Sequence, residues 1–377
     1  MSKPNPYANP PANLSATAPS ALFGKPANNV NDWYVAREFA RIVGIPDHAF
    51  NPSKGFPYHV PSVQPSYQSK GPRIVASACV AILLILFITV SRLSLRYFRK
   101  DLKFGYDDLF IVPAVIGVVS WFCIVIWMVI KGGAGQHIYD ITYMQVEYFF
   151  RGASSGQLVF FLSTGLVKIS ISLFNRRLTG LTSKRWMIAH NVFLVILVAY
   201  MIYVLFVNLF VCIPFDHFSI IEAGKFARPA KCSKTSQLNI ALSSIHVILD
   251  YALLSVPIII LYQIQMSTTK KVRLGLFFCI GALSCIGATI RPIVIQHGSP
   301  DITYYFQDQY SWGTVDIFFA AIAASLPVLN AAIPKGWRRR THTVKRLRSI
   351  NAADNGTDES TSSNEMTSWQ FGRDGTV

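Results

Sequence analysis

Five ionisable side chains stand out within long apolar runs of this chain: Lys168, His246, Asp250, Arg291 and Asp316. A charged side chain at the centre of a membrane helix costs about 2.5–3.5 kcal/mol on insertion scales. Such residues are therefore kept where a partner or a task holds them. His246 and Asp250 stand four apart, one turn along one helix face, a spacing that lets an imidazole and a carboxylate share a proton. Arg291 and Asp316 lie at similar depth on successive runs, which makes them the expected ion pair, and Lys168 lies in the inner half of an earlier run. These groups either line a polar pocket reached from outside, for a ligand or a proton path, or staple helices together as packed polar pairs do.

The elements that must position them are seven apolar stretches, near Ile74–Leu95, Leu109–Ile130, Tyr148–Phe174, Met187–Ile213, Leu238–Tyr262, Val272–Ile295 and Trp312–Ile333. Each has about the 20 apolar residues that a spanning helix needs. None alternates with the period of two that a barrel strand shows. The expected fold is an all-α membrane protein, a seven-transmembrane-helix bundle over residues 74–334. The composition agrees, at 51% hydrophobic and 14% charged residues, a balance that a soluble chain of this length would struggle to bury.

The net charge of +16 would suggest nucleic acid in a soluble protein, but the basic residues sit at span edges, so no nucleic-acid partner is expected. Arg92, Arg96, Arg99, Lys100 and Lys103 follow the first span; Arg176, Arg177, Lys184 and Arg185 the third; Lys270, Lys271 and Arg273 the fifth. The second and sixth links are nearly free of them. The fourth is discordant, with Lys225, Arg228, Lys231 and Lys234 diluted by Asp216 and Glu222. The positive-inside rule then places the N-terminus outside and the C-terminus in the cytoplasm, in a multi-pass protein whose default location is the plasma membrane.

Residues 1–73 hold twelve of the twenty prolines and are expected to be a largely disordered extracellular tail. Within them Trp33, Ala36, Phe39, Ala40 and Val43 have helical spacing after Asp32, a brief amphipathic helix or a transient one. The Asn-Leu-Ser at Asn13 is a glycosylation acceptor. Residues 335–377 read as a cytoplasmic tail. Its basic part, 335–350, sets Trp337, Val344 and Leu347 on one face, suited to anionic inner-leaflet lipids, and an acidic, Ser/Thr-rich end follows. Of the six cysteines, Cys79, Cys123, Cys279 and Cys285 lie within spans as small hydrophobes. Cys212 and Cys232 fall at the outer face, where an oxidising compartment permits a bridge.

Taken in order, several motifs resemble the fungal rhodopsin-like domain family of seven-helix integral membrane proteins, over about Pro72 to Lys335. They are Arg96 with Phe104, Gly105, Tyr106, Asp107 and Asp108; Gly133, Ala134, Gly135, Gln136 and His137; Lys168, Ile169 and Ser170 through Arg176 and Arg177; Cys212, Ile213, Pro214 and Cys232; Asp250 with Pro257; Lys270 and Lys271; Arg291; and Trp312, Asp316 and Pro327. Asp316 stands where the family often has Glu, and the N-terminal segment lacks the cysteines of a fused surface domain. The resemblance implies a receptor-like membrane protein with an unknown ligand.

The seventh span has no lysine to form a retinal Schiff base, so no cofactor is expected and light sensing by that chemistry is not. Neither an Asp-Arg-Tyr triplet ending span three nor an Asn-Pro-x-x-Tyr in span seven is present. Three classes remain. A receptor fits the topology, the basic inner face and a phosphorylatable tail, and implies a cytoplasmic signalling partner. A small-molecule or proton-coupled transporter would use the same buried charges as its path, although the halves show no internal repeat. An enzyme fits least, because the eight histidines are scattered without metal-ligand spacing; no metal site is expected.

Overall fold

The computed structural model describes residues 9–57, 69–99, 104–179, 184–210, 212–213, 219–226, 231–232, 235–263, 268–297 and 301–331. The chain divides into two compact units, Met1–Pro327 and Val328–Val377, and of the second only the last residues of a helix are described. The helices are α1 (Val30–Ile42), α2 (Gly71–Phe98), α3 (Tyr106–Gly132), α4 (Tyr143–Thr179), α5 (Lys184–Phe210), α6 (Ile220–Lys225), α7 (Thr235–Gln263), α8 (Thr268–Gln296) and α9 (Ile302–Ala331). Two short strands, β1 (Cys212–Ile213) and β2 (Lys231–Cys232), pair antiparallel between α5 and α7.

Among the described residues six helices are long and apolar enough to cross a membrane: α2, α3, α4, α5, α7 and α8. Their exposed positions include Leu83, Phe87 and Val195 at 68%, 71% and 69% exposure, apolar groups that suit hydrocarbon better than water. A seventh long helix, α9, corresponds to the last expected span but begins ten residues before Trp312. Its first turns, Ile-Thr-Tyr-Tyr-Phe-Gln-Asp-Gln-Tyr, are too polar for a hydropathy window to include, yet Asp301 opens the helix by accepting the Tyr304 amide.

Local chemistry explains several helix ends. At α3, Asp108 reaches back to accept the Gly105 amide at 3.1 Å, and the helix stops at Gly133, whose φ of 66° is left-handed. The pair α3 and α4 pack closely because glycines remove side chains at the contact. A Cβ on Gly132 would lie 2.8 Å from the Phe149 amide nitrogen, and one on Gly152 would run into Met128. Gly152 and Gly156 have the small-xxx-small spacing that permits close helix approach.

The N-terminal segment departs from expectation. Residues 9–57 are folded, so the tail is not disordered over that stretch; residues 1–8 and 58–68 lie outside the described residues. Phe23, Phe39, Phe50 and Phe56 are buried together with Ile138, Ile141, Tyr143, Ile220 and Ile221. Proline-rich composition alone could not make this core. The segment instead borrows apolar surface from the α3–α4 connector, the start of α4 and α6. Helix α1 forms where the spacing predicted it, capped by Asn29, whose side chain accepts the Asp32 amide at 2.7 Å. It is packed against protein, with Trp33 and Ala36 at 1% and 0% exposure, while Val43 is left outside. Arg41 donates to Asp47 at 2.8 and 2.6 Å, and Arg37 reaches the same carboxylate at 3.1 Å. These hydrogen bonds, led by the one from Arg41, hold the Asp47 carboxyl below its usual range. The expected lipid-binding stretch 335–350 lies outside the described residues.

Candidate functional site

The buried charges converge on one place. Helix α4 contributes Lys168, α7 contributes His246 and Asp250 from adjacent turns, α9 contributes Asp316, and α8 contributes Ser284 and Arg291. Lys168, His246, Asp250 and Asp316 are 2%, 2%, 8% and 1% exposed. Close approach of α8 and α9 is allowed by Gly287, where a Cβ would lie 2.7 Å from the Asp316 amide nitrogen. Ser284, one turn away, thereby reaches α9.

The contacts form a chain. Lys168 Nζ lies 2.8 Å from Asp250 Oδ1 and 3.1 Å from His246 Nδ1. On the other edge of the ring, His246 Nε2 is 3.0 Å from Asp316 Oδ2 and 3.3 Å from Asp250 Oδ2. Ser284 Oγ donates to Asp316 Oδ1 at 3.0 Å. One proton assignment satisfies all of this: Nε2–H donates to Asp316, and Nδ1 accepts from the Lys168 ammonium. The Nε2 proton is committed to Asp316, so Asp250 Oδ2 is left buried without a hydrogen bond.

The expected Arg291–Asp316 ion pair is not made. Asp316 is taken by His246 and Ser284, while the Arg291 guanidinium lies over the Phe160 ring, 3.8 Å from its centroid and 5.4 Å from that of Phe161. The same rings pack on His246, at 5.9 and 5.5 Å, so one aromatic pair touches both the imidazole and the guanidinium. Among the described residues Arg291 makes no ion pair or hydrogen bond. Gly313 and Trp121 stand beside it, since a Cβ on Gly313 would be 3.6 Å from both Arg291 Nε and the indole. His246 and Asp250 share one face of α7, 3.3 Å apart; the contact of Lys168 with Asp250 was not foreseen.

His246, Asp250 and Asp316 can each offer a donor atom within 4.8 Å of the others, a set that would suit a cation. Lys168 already supplies one. Its ammonium sits against Asp250 Oδ1 and His246 Nδ1, so those two atoms are already engaged.

A second buried charge cluster lies at the α2–α3 end of the bundle. Arg92 contacts Asp107 at 2.8 Å and Asp108 at 3.0 Å; Arg96 contacts them at 2.6 and 2.9 Å. Arg92 also donates to the Ala324 carbonyl, and Ser170 to that of Asp107 at 2.7 Å. Sequence reasoning counted the two arginines as free positive charge at a span edge. The signal for their pairing was the i, i+4 spacing of Arg92 and Arg96 facing two successive aspartates. At the opposite end His137 contacts Asp301 and stacks between Tyr139 and Tyr304, with ring centroids 5.0 and 4.0 Å away.

Cys212 and Cys232 are directly opposite each other in the β1–β2 register. Cys79, Cys123, Cys279 and Cys285 are free thiols, as expected of cysteines inside spans. Asn13 is exposed.

Comparison with known proteins agrees with this architecture. Wortmanamides biosynthesis cluster protein C of Talaromyces wortmannii is 24% identical over 204 residues, 52% of this chain and 54% of that protein. Fugralins biosynthesis cluster protein 2 of Gibberella zeae is 26% identical over 103 residues, 26% of each. The chain thus spans about half the length of the first and a quarter of the second. The fungal rhodopsin domain matches residues 91–335, which takes in α3 to α9 and every charged residue of the buried network. This chain belongs to the fungal rhodopsin domain family.

Proposed function

We propose that this chain is a receptor-like membrane protein with seven spans, α9 being the seventh, that senses a small extracellular molecule and passes the signal to a cytoplasmic partner. On this reading the N-terminus is outside, the C-terminus is cytoplasmic, the membrane is the plasma membrane, and Cys212 and Cys232 form a disulfide in the outer loop. Retinal has no place in it, because α9 contains no lysine.

The observation that carries the reading is the state of Arg291. With His246 neutral, two cations and two carboxylates balance in the network, and Lys168 and His246 satisfy the carboxylates between them. Arg291 is left over an aromatic ring without an anion. The Arg291 guanidinium is half-buried, an unpaired cation within an apolar bundle carries a cost, and its planar fork suits bidentate binding of a carboxylate or phosphate. The ligand this favours is a small, largely apolar molecule with one anionic group. Both relatives are named for biosynthesis clusters, which fits a biosynthetic product as that ligand. Its anionic group would compete with Asp316 for positive charge. Because the His246 network ties α4, α7, α8 and α9, a change in one pairing biases the packing of four helices, as a two-state element requires.

A proton-coupled transporter is the second reading, supported by the unbonded Asp250 Oδ2 and by a proton that Lys168 and His246 Nδ1 can exchange. The test pairs two measurements on wild type and Arg291→Gln: an extracellular-metabolite response in cells lacking the gene, and proton flux in vesicles holding the purified protein. The receptor reading expects a response lost in the variant at normal surface expression, and no flux. Flux that disappears in Asp250→Asn would overturn it in favour of transport.

A further inference from the structure

A cavity of about 1030 Å³ lies between the last turns of α2 and the first turns of α3, with Leu166 of α4 behind it. Leu93, Val112 and Pro113 give it aliphatic walls, and Tyr97, Phe98 and Phe104 close its end where α2 stops and α3 begins. Leu109, Val112 and Pro113 are exposed, so the cavity opens sideways from two helices that are long and apolar enough to cross a membrane. The described residues that line it include no lysine or arginine. Its carboxylate, on Asp108, is held by Arg92 and Arg96 at 3.0 and 2.9 Å and by the Gly105 amide. An anionic headgroup entering here would meet that carboxylate.

Two uncharged polar groups interrupt the apolar lining, at one level. Pro113 sits inside α3 and has no N–H, so the Leu109 carbonyl lacks the donor that its i+4 residue would supply. Both residues line the cavity. Ser94 brings a hydroxyl from α2. Arg92 and Arg96, on either side of Ser94 in sequence, pair with Asp108 and Asp107, which sets Ser94 at the level of Leu109. In hydrocarbon no water satisfies a bare carbonyl. The group that fits is a single uncharged hydroxyl, donating to the Leu109 carbonyl and accepting from Ser94.

We propose that this cavity binds one sterol, with its hydroxyl between the Leu109 carbonyl and Ser94 and its ring system along Leu93, Val112, Pro113 and Leu166. A phospholipid acyl chain would fill the same walls but carries no donor for the carbonyl. The end of α2 reads Leu95-Arg96-Tyr97-Phe98-Arg99, the leucine, tyrosine, basic order associated with sterol contact. That order is frequent by chance, and it counts here because Tyr97 lines the cavity. The site shares no residue with the Lys168–Asp316 network and does not depend on the receptor reading.

The test is native mass spectrometry of the full-length protein in neutral detergent, titrated with ergosterol, with ergosterol 3-methyl ether and with phosphatidylcholine. Wild type should retain one ergosterol per chain and hold the ether, which has no proton to donate, roughly 10-fold more weakly. Pro113→Ala restores the amide that caps the Leu109 carbonyl from within α3. It should erase the discrimination between the two sterols while thermal unfolding stays the same or rises, because alanine favours the helix. A loss of fold cannot imitate that result. Leu109→Trp, at a position 65% exposed, fills the cavity and should reduce retention of both sterols. Equal retention of ergosterol and its ether by wild type, discrimination that survives Pro113→Ala, displacement of ergosterol by equimolar phosphatidylcholine, or binding untouched by Leu109→Trp would each overturn the proposal. If Pro113→Ala does not fold, the wild-type comparison and Leu109→Trp decide.

Discussion

His246 Nε2 lies 3.0 Å from Asp316 Oδ2, and this contact between α7 and α9 decides how Lys168, Asp250 and Arg291 are used. Once Asp316 is engaged there, Lys168 is the cation left for Asp250 and Arg291 is left for an aromatic ring. The network is best understood as two coupled pairs sharing one imidazole, since His246 also stands 3.3 Å from Asp250.

Charge exchange distinguishes this arrangement from the pairing expected on depth alone. Lys168→Asp should lower the yield of folded protein sharply, because two carboxylates then face each other in a low-dielectric interior. Lys168→Asp/Asp250→Lys should recover part of it. Arg291→Asp/Asp316→Arg should recover none, because the new arginine meets His246. Size-exclusion profiles of fluorescently tagged protein read all of these, and rescue by the Arg291/Asp316 exchange would return the network to the simpler pairing.

The Arg92–Arg96–Asp107–Asp108 cluster should matter more than its position at a helix end suggests. Asp107→Ala strips one carboxylate from two arginines that are 0% and 3% exposed, leaving buried positive charge at a cost of about 3–5 kcal/mol. The exposed Lys225–Glu222 pair is the control: Glu222→Ala should cost under about 1 kcal/mol. Thermal unfolding in detergent compares them, and similar midpoints for the two variants would refute the distinction.

Legibility in the sequence followed the range of the interactions. Helices α2 to α5, α7 and α8 were readable because each is a continuous apolar run, a property of neighbouring residues alone. The start of α9 was not, since Thr303 to Gln309 are polar or aromatic and their helicity depends on packing against the α3–α4 connector. Residues 9–57 were misread for the same reason: their core is completed by Ile138, Tyr143 and Ile220, none of which lies nearby in sequence. At the site, all five residues were recognisable by the cost of burying them. Which cation met which carboxylate was not, because two anions and two cations admit two pairings, and adjacency of α8 and α9 favoured the one that the Phe160–Phe161 rings displace.

Asp47 gives a pH dependence whose sign is fixed. Its carboxyl is held below the ordinary value of 3.8, chiefly by the hydrogen bond from Arg41. A depressed carboxylate contributes stability that is fully present above the unfolded value and is lost as pH falls through the folded one. Protection of the α1 amides relative to their intrinsic exchange rates should therefore be high and flat above about pH 4 and fall below it. Asp47→Asn should lower that protection at neutral pH, with a weaker acid dependence. An acid response of equal size in that variant would place its origin elsewhere.

The β1–β2 register sets Cys212 against Cys232, so a bridge between them requires no shift of the strands. Non-reducing peptide mapping should recover these two joined and Cys79, Cys123, Cys279 and Cys285 alkylatable. Reduction should lower stability by about 3 kcal/mol in the chain-entropy model. Free labelling of Cys212 and Cys232 in native protein would rule the bridge out.

A single measurement of orientation fixes four segments at once, because they are bonded to one another. Phe23 donates its amide to the Ile141 carbonyl at 2.8 Å and Tyr143 to that of Ala21 at 3.0 Å, which holds the N-terminal segment on the α3–α4 connector. Gly135 of that connector donates to Thr303 at 2.8 Å, and Arg37 reaches the Gly224 carbonyl at 3.4 Å on α6. The N-terminal segment, the α3–α4 connector, α6 and the start of α9 therefore sit together at one end of the helix bundle. Arg92 and Arg96 pair with Asp107 and Asp108, but the positive-inside rule counts Lys and Arg and not net charge, so the α2–α3 and α4–α5 links keep their weight in the orientation. Expressed in a glycosylating host, the protein should carry glycan at the exposed Asn13 and none at Asn355, and an Asn13→Gln variant should migrate as the deglycosylated form does. An acceptor sequon engineered into the α6 segment should be modified whenever Asn13 is. Glycan on Asn355 alone would reverse all four segments together, while modification of Asn13 without the α6 sequon would break the link between orientation and the packing that holds these segments at one end.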